Sequence, residues 1–178
     1  SKHVELCLKK AEKEVEECKK LGKRPKHRGL QKTKIGHEEA VEHLKKAEEN
    51  LAFSMSLSPE KYGYKIIESL FYSAYHCFLA IAASFHYESG NQTCTTALVE
   101  HLKEEGKIEL DNTFINMMKT KGEQASNENI SMIDMREDYT YNTKISVEQE
   151  RINNITLLVK ELLHQTKEIV YNTPKDTP

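Results

Sequence analysis

Apolar residues recur along this chain at helical spacing in several separate segments. Between residues 37 and 57 they occupy one face, opposite glutamate–lysine pairs, at Ala40, Val41, Leu44, Ala47, Leu51 and Met55. A second long stripe comprises Ile152, Ile155, Val159, Leu162, Thr166 and Ile169. No stretch alternates with a period of two for long enough to predict a strand. The pattern therefore predicts an all-α fold, an antiparallel up-and-down helical bundle of four to five core helices with an extra N-terminal helix.

The segment from Tyr62 to Gly90 is apolar on nearly every side. One face carries Ile67, Leu70, Phe71, Ala74, Phe78, Ile81 and Phe85, and the other carries Tyr72, Tyr75, His76, Leu79 and Ala83. Such a helix must be covered on two sides, either by other helices or by a second protomer. The stretch from Ser69 to Tyr87 lacks charged residues, but its serines, tyrosines and histidines favour a helix buried in protein over a membrane span.

Capping residues indicate where several helices begin. Ser58 followed by Pro59 and Glu60 is typical of a helix start, and Ser146 with Gln149 predicts a capping box at the start of the last helix. Two short helices, at about residues 95 to 105 and 108 to 121, are expected to meet near Gly106.

The N-terminal segment differs from the rest. Its apolar stripe is thin (Val4, Leu8, Ala11, Val15 and Cys18), which predicts an added helix lying on a core or on a partner. Six Lys or Arg residues follow between Lys23 and Lys34. We interpret this stretch as an exposed linker that is either simply solvated or contacts phosphate. The predicted organisation is an N-terminal extension (1–36), a helical bundle (37–172) and a tail (173–178).

Composition agrees with one helical core in a protein of 178 residues, since 7 Gly and 4 Pro supply few tight turns. A net charge of −2 argues against a basic field over the whole molecule. The cysteines Cys7, Cys18, Cys77 and Cys94 show no paired metal spacing, which predicts free thiols in a reducing cytosol. The first residues lack the layout of a signal peptide, so we expect a cytoplasmic protein that does not bind membranes.

The usual motifs for metal, phosphate or acyl chemistry are missing from the sequence. His37 and His43 are six positions apart, which turns them about 240° from each other on a helix, so they cannot share a metal. The sequence contains no HExxH motif, no glycine-rich phosphate loop and no GxSxG turn. We therefore predict neither a metal site nor a cofactor.

Two groups of polar and aromatic residues remain as candidate functional positions. Tyr72, Tyr75 and His76 lie on the central helix, and Tyr72 and His76 are one turn apart. Arg136, Asp138, Tyr139 and Tyr141 follow a helical apolar run. These groups either form a ligand site or bond to one another inside the bundle or at a dimer seam.

The order of these features resembles the HEPN superfamily, the nucleotide-binding helical domains of higher eukaryotes and prokaryotes. "AVEHLKKAEENLAFS" resembles its opening core helix, "YGYKIIESLFYSAYHCFLAIAA" its central helix in one prokaryotic branch, and "MREDYTY" its arginine before Asp-Tyr. The similarity covers about residues 37 to 170. It implies a dimer formed through the central helices. It also implies a metal-independent toxin-type endoribonuclease or a nucleotide-binding module, often partnered with a nucleotidyltransferase-fold antitoxin.

The resemblance implies catalytic roles for Arg136, Asp138 and His76, and nucleotide or RNA contacts for Tyr72, Tyr75, Tyr139 and Tyr141. In the ribonucleases of this family a histidine follows the arginine closely, whereas this chain has Tyr141, Asn142 and Thr143 there. His76 replaces that histidine only if the fold brings it beside Arg136. The alternative is a non-catalytic interaction module that partners a nucleotidyltransferase-type protein.

Overall fold

The structure, a computed structural model, describes residues 1–34, 36–124, 130–143 and 145–174. These residues form seven helices and two short strands: α1 (Lys2–Lys20), β1 (Leu30–Lys32), α2 (His37–Ser56), α3 (Pro59–Ser84), β2 (Tyr87–Ser89), α4 (Gln92–Glu104), α5 (Asn112–Met117), α6 (Met132–Tyr141) and α7 (Gln149–Asn172). The predicted all-α helical bundle is confirmed. Of the predicted tail, residues 175–178 lie outside the described part.

Helix α3 is the centre of the bundle and packs against α2, α4, α6 and α7. Its predicted core face is buried, and Ile67, Leu70 and Phe78 are each 0% exposed. Other helices therefore supply most of the cover that its apolar composition requires. The exception is a strip of partly exposed side chains on one side, formed by Tyr72, Tyr75, His76 and Leu79 and called the α3 strip below.

By length and composition α3 could cross a membrane, yet 72% of its apolar window is buried inside the fold. Packing against other helices explains that composition, as the sequence predicts.

The start of α3 is as predicted, while the start of α7 is not. Ser58 and Pro59 precede and open α3, although the Ser58 side chain makes no capping bond. Helix α7 begins at Gln149 rather than after Ser146, so the predicted capping box is wrong. The preceding segment is held extended because Ile145 C=O accepts a hydrogen bond from Tyr64 N–H at 3.2 Å. Val147, next to Ser146, is buried in the core.

Two further expectations are wrong. The helix predicted at 108 to 121 is shortened to Asn112–Met117, because Ile108 and Leu110 reach the core from a loop and Asp111 caps the helix. Met55, placed on the apolar face of α2 by the pattern, is 58% exposed.

The predicted linker contains a strand. Leu30–Lys32 pairs antiparallel with Tyr87–Ser89, and Leu30 is buried. Three residues with a single buried position are too few for a period of two to be recognised in the sequence. The second half of the linker is therefore part of the fold.

A disulfide between Cys7 and Cys94 connects α1 to α4, so the prediction that all four cysteines are free thiols is wrong. Cys18 and Cys77 are the free ones. Cys7 and Cys94 are 87 positions apart in sequence, and no local spacing indicates such a pair. Helix α1 buries Val4, Cys7 and Ala11 against the rest of the chain, which agrees with an added helix lying on the core. The division at residue 36 stays a prediction.

Candidate functional site

Helix α6 presents the arginine singled out by the sequence. Ser131 caps the helix by accepting a hydrogen bond from Asp134 N–H, and Met132, Ile133 and Met135 are buried. This anchoring faces α6 towards α3. As a result the guanidinium carbon of Arg136 lies 4.6 Å from the centre of the Phe71 ring, which is a cation–π contact.

Arg136 is held in place without being strongly neutralised. Its side chain is 26% exposed, and the one carboxylate within 4 Å among the described residues is Glu137, whose Oε1 lies 3.9 Å from Nη2. An ion pair at that distance between partly exposed groups contributes little. The guanidinium therefore keeps donors available for another anion.

A row of rings extends from Arg136 along the α3 strip. Phe71 stacks on Tyr75 with centroids 6.1 Å apart, and Tyr75 lies 6.5 Å from the ring of His76. His76 in turn stacks on His43 of α2 at 5.2 Å. Two aromatic rings thus stand between Arg136 and His76, and no hydrogen bond joins these two residues within the described part of the chain.

The electrostatics of this row favour neutral rings. Burial, then the neighbouring His76 and Lys46, lowers the pKa of His43 from 6.5 to about 4. Burial and Lys46 also lower the pKa of His76, and burial raises the pKa of the Tyr75 hydroxyl. At neutral pH the imidazole of His76 is therefore a proton acceptor rather than a cation.

The other predicted site residues are more scattered. Tyr72 is 38% exposed and its ring meets the edge of Phe71 at 5.3 Å. Asp138 is exposed on α6, and Tyr139 is half-buried against the core. Tyr141 is 81% exposed at the end of α6. Their assignment to a ligand site stays a prediction.

Three members of this surface are not among the predicted site residues. The pattern alone places Phe71 on the core face of the central helix and Lys46 on the charged side of its helix, and His43 enters only as a histidine that cannot share a metal with His37. Each residue lies on the helix face that the pattern predicts. Its place in this surface depends on which helices pack against each other. No feature of a single sequence gives that register between helices.

Metal binding has no support in this arrangement. Within the described ranges, no group of three or more His, Cys, Asp or Glu side chains could hold a metal ion. His43 and His76 alone provide two ligands, fewer than the three protein ligands typical of a catalytic zinc site.

No protein-family model matches this sequence. No curated protein matches it either.

Proposed function

We propose that this chain is a HEPN-like, homodimeric helical domain that binds the phosphate of a nucleotide or of RNA through Arg136. The observation that carries the proposal is the position of Arg136, fixed over Phe71 and paired only weakly with Glu137. The order of the sequence motifs supports the same role. Asp138 and Tyr139 follow Arg136 on α6, as the resemblance implies.

Guanidinium chemistry favours phosphate over other ligands. A guanidinium offers a planar fork of donors that matches two phosphate oxygens. Tyr72, beside Phe71, exposes an aromatic ring on which a base can stack. A partly exposed cation and an exposed ring that both contact Phe71 are a combination suited to a nucleotide.

The α3 strip supports the dimer. Tyr72, Tyr75, His76 and Leu79 form a line of partly exposed, half-polar side chains on an otherwise buried helix. A second copy of the chain lying against α3 would cover this line. The two arginines of such a dimer would then flank one shared cleft.

Ribonuclease activity would need His76 of the partner protomer, because two rings separate His76 from Arg136 within one chain. In that reaction the ribose 2′-hydroxyl attacks phosphorus as His76 accepts its proton. The bond from phosphorus to the 5′-oxygen breaks, and that oxygen takes a proton from water. Arg136 would stabilise the charge on the phosphate oxygens. Because the imidazole of His76 is neutral, it can accept that proton.

The binding test compares Arg136→Ala and Arg136→Lys with the wild type, using fluorescence anisotropy of labelled single-stranded RNA and of a mononucleotide. We expect Arg136→Ala to weaken binding about ten-fold or more, and Arg136→Lys to weaken it less. Arg151→Ala, at an exposed position of α7, is the matched control with the same charge change. Equal losses in Arg136→Ala and Arg151→Ala would contradict a specific phosphate site.

The catalytic test measures RNA cleavage in the presence of a metal chelator. Activity that falls in both Arg136→Ala and His76→Ala would support the ribonuclease reading. Equal activity in wild type and Arg136→Ala would eliminate Arg136 as a catalytic group.

The alternative, a non-catalytic interaction module, is favoured by the exposed ring of Tyr72. Here the α3 strip is a seam for a second copy or for a nucleotidyltransferase-fold antitoxin. This reading predicts a dimer that weakens in Tyr72→Glu and Tyr75→Glu, measured by analytical ultracentrifugation. It also predicts no affinity for nucleotide or RNA.

A weaker idea assigns RNA contact to the basic segment from Lys23 to Lys34. Deleting residues 1 to 36 is not a clean test, because that segment includes β1 and the Cys7 end of the disulfide. The double variant Arg24→Ala/Lys26→Ala changes exposed charges only. Unchanged affinity and unchanged salt dependence in this variant would end the idea.

A further inference from the structure

A cavity lies at the C-terminal end of α3, between the two-stranded sheet and α4. Its volume is about 940 Å³, which is in the upper range of small-molecule sites. Leu98 and Leu102 of α4 are buried in its wall, and Phe85 at the end of α3 is half-buried beside them. The interior can therefore hold an apolar group that is larger than a few atoms.

The rim of this cavity is positively charged. Lys32, Lys34 and Lys107 surround it, together with one acid, Glu105. The carboxylate of Glu105 is already engaged, because its oxygens lie 2.6 Å from Lys107 Nζ and 3.3 Å from His101 Nε2. Lys32 and Lys34 are exposed and leave an excess of positive charge at the mouth.

His86, in the wall, directly follows the end of α3 in the left-handed conformation that many helices adopt at that position. Its φ is +63°, whereas the other positive values among the described residues belong to glycines. Two hydrogen bonds of 2.8 Å hold it, from His86 N–H to Ala83 C=O and from Thr33 N–H to His86 C=O. The ring is seated where Gly36 has no side chain, since a Cβ there would lie 2.6 Å from His86 Nδ1. These contacts fix the wall of the cavity between the end of α3 and the two-stranded sheet.

From these three observations we propose that the cavity binds an amphipathic anion, a small molecule with an acyl or aryl body and one carboxylate, sulfonate or phosphate head. The body lies against Phe85 and Tyr87, and the head meets Lys32 and Lys34. This site is independent of Arg136, because Phe71 and Phe85 are about 21 Å apart along the helix axis. Its occupation does not depend on whether the chain binds RNA.

The probe is anilinonaphthalene sulfonate, a fluorescent aryl anion, titrated into the folded full-length chain. We expect one saturable site per chain, from which dodecanoate displaces the dye and dodecylammonium does not. That contrast separates recognition of the anionic head from simple attraction to an apolar surface. Thermal melting with and without dye establishes that the folded protein, rather than an unfolded fraction, binds it.

The double variant Lys32→Glu/Lys34→Glu reverses two exposed charges at the mouth. We expect it to weaken dye binding about ten-fold or more. Lys9→Glu/Lys13→Glu, on the exposed side of α1, makes the same change in net charge away from the cavity and keeps the wild-type affinity. Circular dichroism checks that both variants stay folded.

Three results would overturn the proposal. These are a dye signal that does not saturate, equal displacement by dodecanoate and dodecylammonium, or equal affinities in the two double variants. RNA affinity is measured in the same variants. Its retention in Lys32→Glu/Lys34→Glu separates this site from the one at Arg136.

Discussion

The Nδ1 atoms of His43 and His76 lie 3.1 Å apart, across the contact between α2 and α3. At that distance one ring donates its N–H to the lone pair of the other, so at least one of the two must be neutral. The side chain of His43 is 19% exposed, and Lys46 adds a further positive charge nearby. This pair is therefore stable when both rings are neutral, and protonation at low pH destabilises it.

We expect the pair to destabilise the fold between pH 6.5 and about 4, the ordinary and the folded pKa of His43. Above this window His43 is neutral in both states. As the pH falls, the unfolded chain binds a proton at His43 before the folded chain does, so the free energy of unfolding decreases. The loss is about 3 kcal/mol at most for His43, and His76 adds to it in the same direction.

The measurement is urea unfolding at pH 7.5 and at pH 4.5 for wild type and His43→Gln. Glutamine can still bond to His76 but does not titrate. We therefore expect His43→Gln to lose less unfolding free energy on acidification than the wild type. His164→Gln, at a position 67% exposed on α7, is the control and follows the wild type. Identical pH dependence in wild type and His43→Gln would refute this role of the pair.

Breaking the Cys7–Cys94 disulfide lowers stability because the unfolded chain regains the freedom of a long loop. The disulfide joins positions that are 87 apart in sequence. For a loop of that length the chain-entropy model gives about 4.6 kcal/mol, or a fall in melting temperature of about 10 to 15 °C. Cys7→Ala/Cys94→Ala shows this fall, and Cys18→Ala, which removes a free thiol, does not.

Alkylation of the unfolded, unreduced chain tests the same disulfide directly. Mass spectrometry should find Cys18 and Cys77 modified, and all four cysteines modified only after reduction. Four modified cysteines without reductant would show that the disulfide does not form.

The sequence predicts the fold well where one helix face is long enough to be periodic. The stripe of α7, from Ile152 to Thr166, is buried as expected because a face of four turns has one way to meet a core. Prediction fails where a distant contact determines a boundary. Ser146 and Gln149 satisfy the capping rule, yet the bond between Ile145 C=O and Tyr64 N–H keeps that segment extended.

The candidate site was predictable only in part. Motif order identifies Arg136, Tyr72, Tyr75 and His76, but not the distance between Arg136 and His76. Phe71 is both a core residue and the platform for Arg136, and periodicity reveals the first role alone. That second role depends on how α6 crosses α3, which is set by the whole core rather than by local sequence.

Gly63 permits the close approach of the chain that precedes α7. A Cβ at this position would lie 2.6 Å from Val147 N and 2.9 Å from Ile145 O, both of them backbone atoms. We expect Gly63→Ala to cost about 1 to 3 kcal/mol of unfolding free energy, because the segment must move to relieve the overlap. Gly122→Ala is the control, since a Cβ there meets no described atom within 4 Å. Equal urea midpoints for the two variants would show that the segment before α7 leaves room for a Cβ at Gly63.

The role of Phe71 as a platform can be separated from its role in the core by comparison with Phe78. Both rings belong to α3 and are buried, at 1% and 0% exposure, but only Phe71 lies under a guanidinium in the described structure. Phe71→Leu and Phe78→Leu therefore remove similar volumes from the same helix. Each is expected to lower the unfolding free energy by about 1 kcal/mol.

Their effects on RNA binding should differ. Phe71→Leu also removes the cation–π contact, worth about 0.5 to 1 kcal/mol, and leaves Arg136 free to move. If Arg136 binds phosphate, this variant weakens RNA binding about two- to five-fold, while Phe78→Leu keeps the wild-type dissociation constant. Anisotropy titrations at one fixed salt concentration measure both. Equal dissociation constants in the two variants, with Arg136→Ala still impaired, would mean that the arginine acts without its platform.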